Sequence, residues 1–277
     1  MKFINKAILL SLTIVSAALG GCSKDDSTTT PSDTIPEIPG YTLVWNDEFD
    51  GNYIDLTKWE YEVNGDGGGN NELQYYTASP KNSFLENGRL IIKAISESYQ
   101  NRNFTSARIR SKGRGDWLYG RVEVSAKIPK GVGTWPAIWM LSTDWSYGGW
   151  PESGEIDIME HVGYDPNVVH GSVHTKAYNH TIGTQKTSKL TIPTATSEFH
   201  KYIIEWFDDH IDFFIDDTKY FTFNNENNGW ESWPFDKRFH LILNVAVGGN
   251  WGGVYGVDVK AFPAQMEVEY VRVYKKN

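Results

Sequence analysis

The 277-residue chain has a single cysteine, Cys22, so no internal disulfide can staple it. It does not need one, because a domain of this length buries roughly 75% of the surface its unfolded chain exposes. Basic charge is also scarce. Lys and Arg number 26 against 35 Asp and Glu, a formal charge of −9. No basic stripe is visible to follow a phosphate backbone, so nucleic acid is not expected as a partner. From residue 41 onward the sequence lacks helical periodicity, internal repeats and any second linker. What it has in quantity is apolar, aromatic and glycine residues. Hydrophobic residues make up 40%, which excludes disorder for the chain as a whole, and there are 11 Trp, 15 Tyr and 26 Gly. That is the composition of a glycine-punctuated β protein with aromatic surface to spare, and indoles suit the apolar faces of sugar rings.

The first residues read as an address. Lys2 and Lys6 precede a short apolar stretch, Ala7 to Ala18, too short for the ~20 residues of a membrane span. Leu19-Gly20-Gly21-Cys22 follows and resembles a bacterial lipobox, against the plainer reading of an ordinary secretory signal. The expectation is a leader over 1–21, a lipidated Cys22 opening a flexible polar tether over 22–40, and one folded domain over 41–277. Lys24-Asp25-Asp26 resembles the acidic export tag of surface lipoproteins. Together these imply an exported, lipid-anchored protein on the outer membrane and cell surface of a Gram-negative bacterium.

Period-two alternation recurs through the rest of the chain. Apolar residues take every second place in 121–128, and further strands are expected at 89–95, 168–174, 202–207, 211–215, 239–245 and 268–274. The last of these does not alternate cleanly. Gly, Asn, Asp and Pro clusters at 64–71, 129–133, 224–229 and 248–253 separate the strands. Many short strands in more than 200 residues favour an all-β, two-sheet antiparallel sandwich of jelly-roll type.

The chemistry concentrates in Glu155-Ile156-Asp157-Ile158-Met159-Glu160. Glu155 and Asp157 are two apart and share a face of a strand. Glu160, five from Glu155, faces away unless one β-bulge between Asp157 and Glu160 adds a residue and returns it. Three carboxylates on one face repel and raise one another's pKa, which is how one of two glutamates stays protonated as an acid. A solvated acidic face or a cation site would use the same residue types. Trp135 and Trp139, nearby in sequence, fit a core as well as a sugar platform; with the carboxylates, the platform is favoured. His170 and His174 share a face at four apart, but no third ligand for zinc is apparent.

The 155–163 segment closely resembles bacterial laminarinases of glycoside hydrolase family sixteen. So do Trp135–Leu141, Val169–Thr175, Asn70–Tyr75, Leu243–Trp251 and Tyr270–Tyr274, and the resemblance runs from about Val44 to Tyr274. It implies a concanavalin-like β-jelly roll of two curved antiparallel sheets and endo-hydrolysis of β-1,3-glucan with retention, needing no cofactor in catalysis. Glu155 would be the nucleophile and Glu160 the acid/base, with Asp157 between them. Asn71, Arg108, Trp135, Trp139, His174 and Trp251 would line the cleft. A structural calcium, away from the cleft, would map to Glu48, the Gly88 carbonyl and Glu269, where Asp is usual. The protein is expected to act as a monomer on β-glucan. The rival readings are a hydrolase of mixed-linkage β-glucan or marine galactan, and a surface glycan-binding protein without chemistry.

Overall fold

Alternation in the sequence becomes pairing in the structure, a computed structural model that describes Lys2 and residues 35–277. The leader, Cys22 and the tether as far as residue 34 lie outside the described residues. Residues Glu37–Asn277 make one compact unit. Its first strand, Tyr41–Asp47, pairs with its last, Ala264–Lys276, so the two ends of the unit are joined.

Two sheets pack face to face. In the larger, the strands Thr218–Asn224, His210–Ile215, His200–Trp206, Gly120–Lys127, Ala264–Lys276 and Leu90–Tyr99 run in that order, followed by two short strands. The smaller runs Lys186–Thr191, Val168–His174, Glu155–Glu160, Thr134–Ser142, Phe239–Val247, Arg108–Arg110 and Glu60–Tyr61. Among the described residues, pairing is antiparallel except between Gln74–Tyr76 and Arg102–Ser106. Ile138, Met140, Ile156, Val169, Val173 and Leu243 of the small sheet meet Val122, Val124, Tyr202, Ile204, Phe213 and Val271 of the large one in a single core. Each such side chain taken fully from water contributes about 1.5–3 kcal/mol before the cost of chain ordering. This is the expected all-β jelly-roll sandwich.

Two register slips decide which side chains face where. In the last strand Ala264, Met266 and Val268 are buried, then Val271 and Val273. The pairing with Gly120–Lys127 slips between Val268 and Tyr270. An extra residue at Glu269 thus switches the buried set from even to odd positions, which is why this segment does not alternate cleanly in sequence. The second slip lies in Glu155–Glu160 and builds the site. The 248–253 cluster, expected as a loop, contains a short helical turn at Gly249–Gly252.

Candidate active site

The smaller sheet turns the even-numbered side chains of Thr134–Ser142 inward and the odd ones outward. Its neighbour Glu155–Glu160 pairs so that Glu155 meets Leu141, Asp157 meets Trp139 and Glu160 meets Ala137. Three steps along one strand therefore match two on the other, and the same slip appears against Val168–His174 between Asp157 and Glu160. The bulge sends both Ile158 and Met159 into the core and keeps all three carboxylates on the outer face. Ala137 and Ala246, small residues beneath, leave room for them.

Each glutamate is held by an indole. Trp135 Nε1 donates to Glu160 Oε1 at 3.0 Å, and Trp150 Nε1 donates to Glu155 Oε2 at 2.6 Å. Trp139 instead donates to Asn244 Oδ1 at 2.7 Å. Asp157 is 2% exposed, and His174 Nε2 sits 3.2 Å from its Oδ2. Beside this group Glu72, also buried, accepts from Gln74 Nε2 at 2.6 Å and from the Tyr76 hydroxyl at 3.1 Å. The Arg108 guanidinium carbon lies over the Trp139 ring, 4.6 Å from its centroid, and its Nε is 3.4 Å from Glu62 Oε2.

These residues line three adjoining cavities of about 450, 300 and 50 Å³, and Glu155 is common to all of them. Trp135, Glu160, His170, His174, His180 and Trp251 line the first; Arg108, Trp139, Trp145, Trp150 and His180 line the second. Trp251 reaches the wall through its glycines. Gly249 has φ +77°, and a Cβ on Gly252 would stand 2.9 Å from Trp135 Cβ, so only glycine lets the helical turn approach this indole.

Burial, and then the neighbouring Asp157 charge, push the Glu155 carboxyl up to about 8; His174 and the Trp150 N–H oppose the rise. Glu160 is pushed up to about 7, again chiefly by burial, with the Glu155 and Glu72 charges adding to it. Asp157 is raised well above the ordinary value by burial and the Glu160 charge. An oxygen of Asp157, an oxygen of Glu155 and a ring nitrogen of His174 all lie within 4.8 Å of one another, so the ionisation of each carboxyl bears on the other. The site thus holds protons near neutrality, the property an acid/base carboxyl needs.

Of the residues expected from sequence, Glu155, Asp157, Glu160, Arg108, Trp135, Trp139, His174 and Trp251 come together around these cavities. Asn71 does not line them. Its exposed side chain donates to Asn250 Oδ1 at 2.9 Å, and Asn70 faces the cavities in its place. His174 is engaged with Asp157. His170 turns to Trp251, ring centroids 5.0 Å apart, and is not among the Glu155, Asp157 and His174 atoms that converge within 4.8 Å. Trp150, Trp145, His180, Glu72 and Asn70 were not singled out by sequence reasoning. Asn70 and Glu72 lie in the Asn70–Tyr75 segment of the resemblance, and Trp150 is an indole shortly before the carboxylate strand; Trp145 and His180 carried no signal.

The residues mapped to calcium lie on the larger sheet or its flanks. Glu48 takes two hydrogen bonds from Arg272, at 3.0 and 2.7 Å, while Glu269 accepts from Ser125 at 2.8 Å and lies 3.4 Å from Arg89. Both carboxylates are already matched by protein cations, so this donor set is poorly suited to a cation as it stands, and no step below depends on one.

Comparison with known proteins bears on the same residues. A β-glucanase of Rhodothermus marinus is 51% identical over 97% of this chain and 93% of its own length. The crystal structure of the laminarinase from Rhodothermus marinus matches with a TM-score of 0.84 at 54% identity, covering 86% of this chain and 99% of that one. A mutant of a non-specific endo-β-1,3(4)-glucanase, co-crystallised with 1,3-β-D-cellotriosyl-glucose and presenting 1,3-β-D-cellobiosyl-glucose at its active site, matches with a TM-score of 0.83 at 46% identity, over 88% of this chain and 97% of its own. Residues 69–272 fit the family model described as Glycosyl hydrolases family 16. With the carboxylate strand inside that span, the chain belongs to glycosyl hydrolase family 16.

Proposed function

We propose that this protein is an endo-acting glycoside hydrolase that cleaves β-1,3-glucan of the laminarin type with retention, by double displacement. The observation that carries the reading is the bulge that sets Glu155, Asp157 and Glu160 on one face, each glutamate against its own indole. In the first step a Glu155 carboxylate oxygen bonds to the anomeric carbon. The glycosidic C–O bond breaks, and the Glu160 proton goes to the leaving oxygen. In the second step Glu160 takes a proton from water, the water oxygen bonds to the anomeric carbon, and the ester bond to Glu155 breaks. Asp157, buried beside Glu155, orients the nucleophile and tunes its charge.

A binder without chemistry would have no use for two glutamates held at raised pKa in one cleft. Mixed-linkage β-glucan is a further substrate, supported by the likeness to a non-specific endo-β-1,3(4)-glucanase. The leader and Cys22 support export and lipid anchoring at the outer surface of a Gram-negative cell, with the domain acting as a single chain. The function is tested by incubating the protein with laminarin, lichenan, agarose and carrageenan. Product sizes are followed, and the first-formed anomer is read by NMR. Internal cleavage of laminarin giving the β-anomer first is expected. Release of the α-anomer, or cleavage of only the galactans, would overturn the assignment.

A further inference from the structure

The aromatic wall does not end at the cavity that holds the glutamates. Trp135 and Trp251 meet edge to face with centroids 5.5 Å apart. Tyr255 follows Trp251 closely in the chain, just past the Gly249–Gly252 turn, and meets Tyr164 edge to face at 4.9 Å. Neither tyrosine lines the 450 Å³ cavity, whose rim on that side is Trp251. Tyr255 is 74% exposed, and Val254 beside it 56%. The two tyrosines come from separate loops, one after the carboxylate strand and one after the Gly249–Gly252 turn. A ring this exposed adds little to the core.

The direction of the row is fixed by Trp135, which holds Glu160. Glu160 is the group that protonates the leaving oxygen, so the row Trp135, Trp251, Tyr164, Tyr255 runs outward from the leaving-group side. Arg108, Trp139 and Trp150 lie on the Glu155 side. We propose that Tyr164 and Tyr255 form an additional sugar subsite, binding a β-linked glucosyl unit of the departing chain beyond the unit that meets Trp135 and Trp251. This rests on the hydrolase reading above. The edge-to-face geometry leaves a face of Tyr255 open, and the uncharged, exposed ring suits the apolar face of a pyranose whose hydroxyls stay in water.

The test compares laminarihexaose, long enough to reach the tyrosines, with an aryl β-laminaribioside, whose leaving group is too short. In Tyr255→Ala and Tyr164→Ala the ratio of kcat/KM on hexaose to that on the aryl glycoside should fall about three- to tenfold, the worth of one aromatic contact. The fall should come mostly through KM, the cleavage pattern should shift away from long leaving fragments, and Tyr255→Trp should restore it. The subsite is read independently of turnover by titrating laminarihexaose into Glu155→Gln protein with and without Tyr255→Ala. An unchanged ratio, cleavage pattern and hexaose affinity in both alanine variants would overturn the subsite, while hexaose affinity lost with Tyr255→Ala in protein that hydrolyses neither substrate would retain it and reject the hydrolase reading.

Discussion

The Trp150 indole N–H donates to Glu155 Oε2 over 2.6 Å, so the loop that leads into the carboxylate strand also holds its first carboxylate. A donor aimed at a carboxylate stabilises the anion and opposes the rise that burial imposes on Glu155. Trp150→Phe keeps the ring and removes the N–H. The Glu155 pKa should then rise further. Because the nucleophile must be ionised, the acidic limb of kcat/KM against pH should move to higher pH. A lost charge-assisted hydrogen bond is worth about 1.5–3 kcal/mol, or roughly ten- to a hundredfold in kcat/KM near neutrality. A pH profile on laminarin measures both, and an unmoved acidic limb would show that this bond does not tune the nucleophile.

Glu160→Ala should lower kcat on laminarin by about 10²–10⁴-fold, the usual contribution of a positioned acid/base. On an aryl glycoside with a good leaving group, azide should restore turnover and yield the β-glycosyl azide, since an external nucleophile needs no base to deglycosylate Glu155. Recovery of the α-azide would contradict retention, and formation of the β-azide by Glu155→Ala instead would reverse the two roles.

Much of this site could be read from the chain because a strand has a two-residue period. Glu155, Asp157 and Glu160 cannot share a face without one added residue, and the slip between Asp157 and Glu160 is that residue. Side chains arriving from loops were less legible. Asn70 and Asn71 are identical in chemistry and adjacent in sequence. The turn, with Asn71 at φ +57°, sends one to the cavities and the other to Asn250. Trp150 and His180 enter the cleft by loop paths that no periodicity encodes. His174 was expected against the sugar, but nothing in its spacing from Asp157 reveals that paired strands bring them to 3.2 Å.

The raised carboxyls make stability fall as pH rises. Glu155 has an ordinary value of 4.5 and is pushed up to about 8 in the fold. Below pH 4.5 both folded and unfolded forms hold the proton, and its stabilising contribution is complete. Between the two values the unfolded chain ionises first, so that contribution is lost progressively until the folded group ionises too. Glu155→Gln removes the titration. Its stability should match the parent near pH 4 and exceed it at pH 9 by about a few kcal/mol at most, seen as a higher melting temperature at pH 9 alone. Thermal unfolding at the two pH values measures this. A variant less stable than the parent at pH 9 would mean that the ionised carboxylate is well satisfied in the fold.

Cys22→Ser should move the protein out of the membrane fraction while leaving laminarin hydrolysis by the folded domain unchanged. Acyl chains contribute about 0.8 kcal/mol per buried CH₂, enough for stable retention when more than one chain is attached. Fractionation of cells expressing each form, with radiolabelled palmitate to report acylation, distinguishes the outcomes. Unchanged membrane retention of the serine variant would remove the anchor.

Arg108 offers the sharpest test of how the cleft chooses its polymer. Only 8% exposed, it lies over the Trp139 ring, 4.6 Å from its centroid, and lines the cavity of about 300 Å³ on the Glu155 side. Its Nε is 3.4 Å from Glu62, but that carboxylate also pairs with Arg110 at 3.2 Å, so Glu62 keeps a cation when Arg108 is removed. A site that loses its partner hydroxyl leaves a buried donor unpaired, at about 1–3 kcal/mol. Arg108→Ala should therefore cost roughly tenfold in kcat/KM on laminarin and less on lichenan, narrowing the preference between them. Arg108→Lys keeps the charge without the planar fork and should recover little of the preference. The control is Glu62→Gln. If removing that ion-pair partner lowers both polymers as much as Arg108→Ala does, the arginine acts by holding the wall in place. Equal losses on the two polymers in Arg108→Ala would likewise dismiss it as a determinant of specificity.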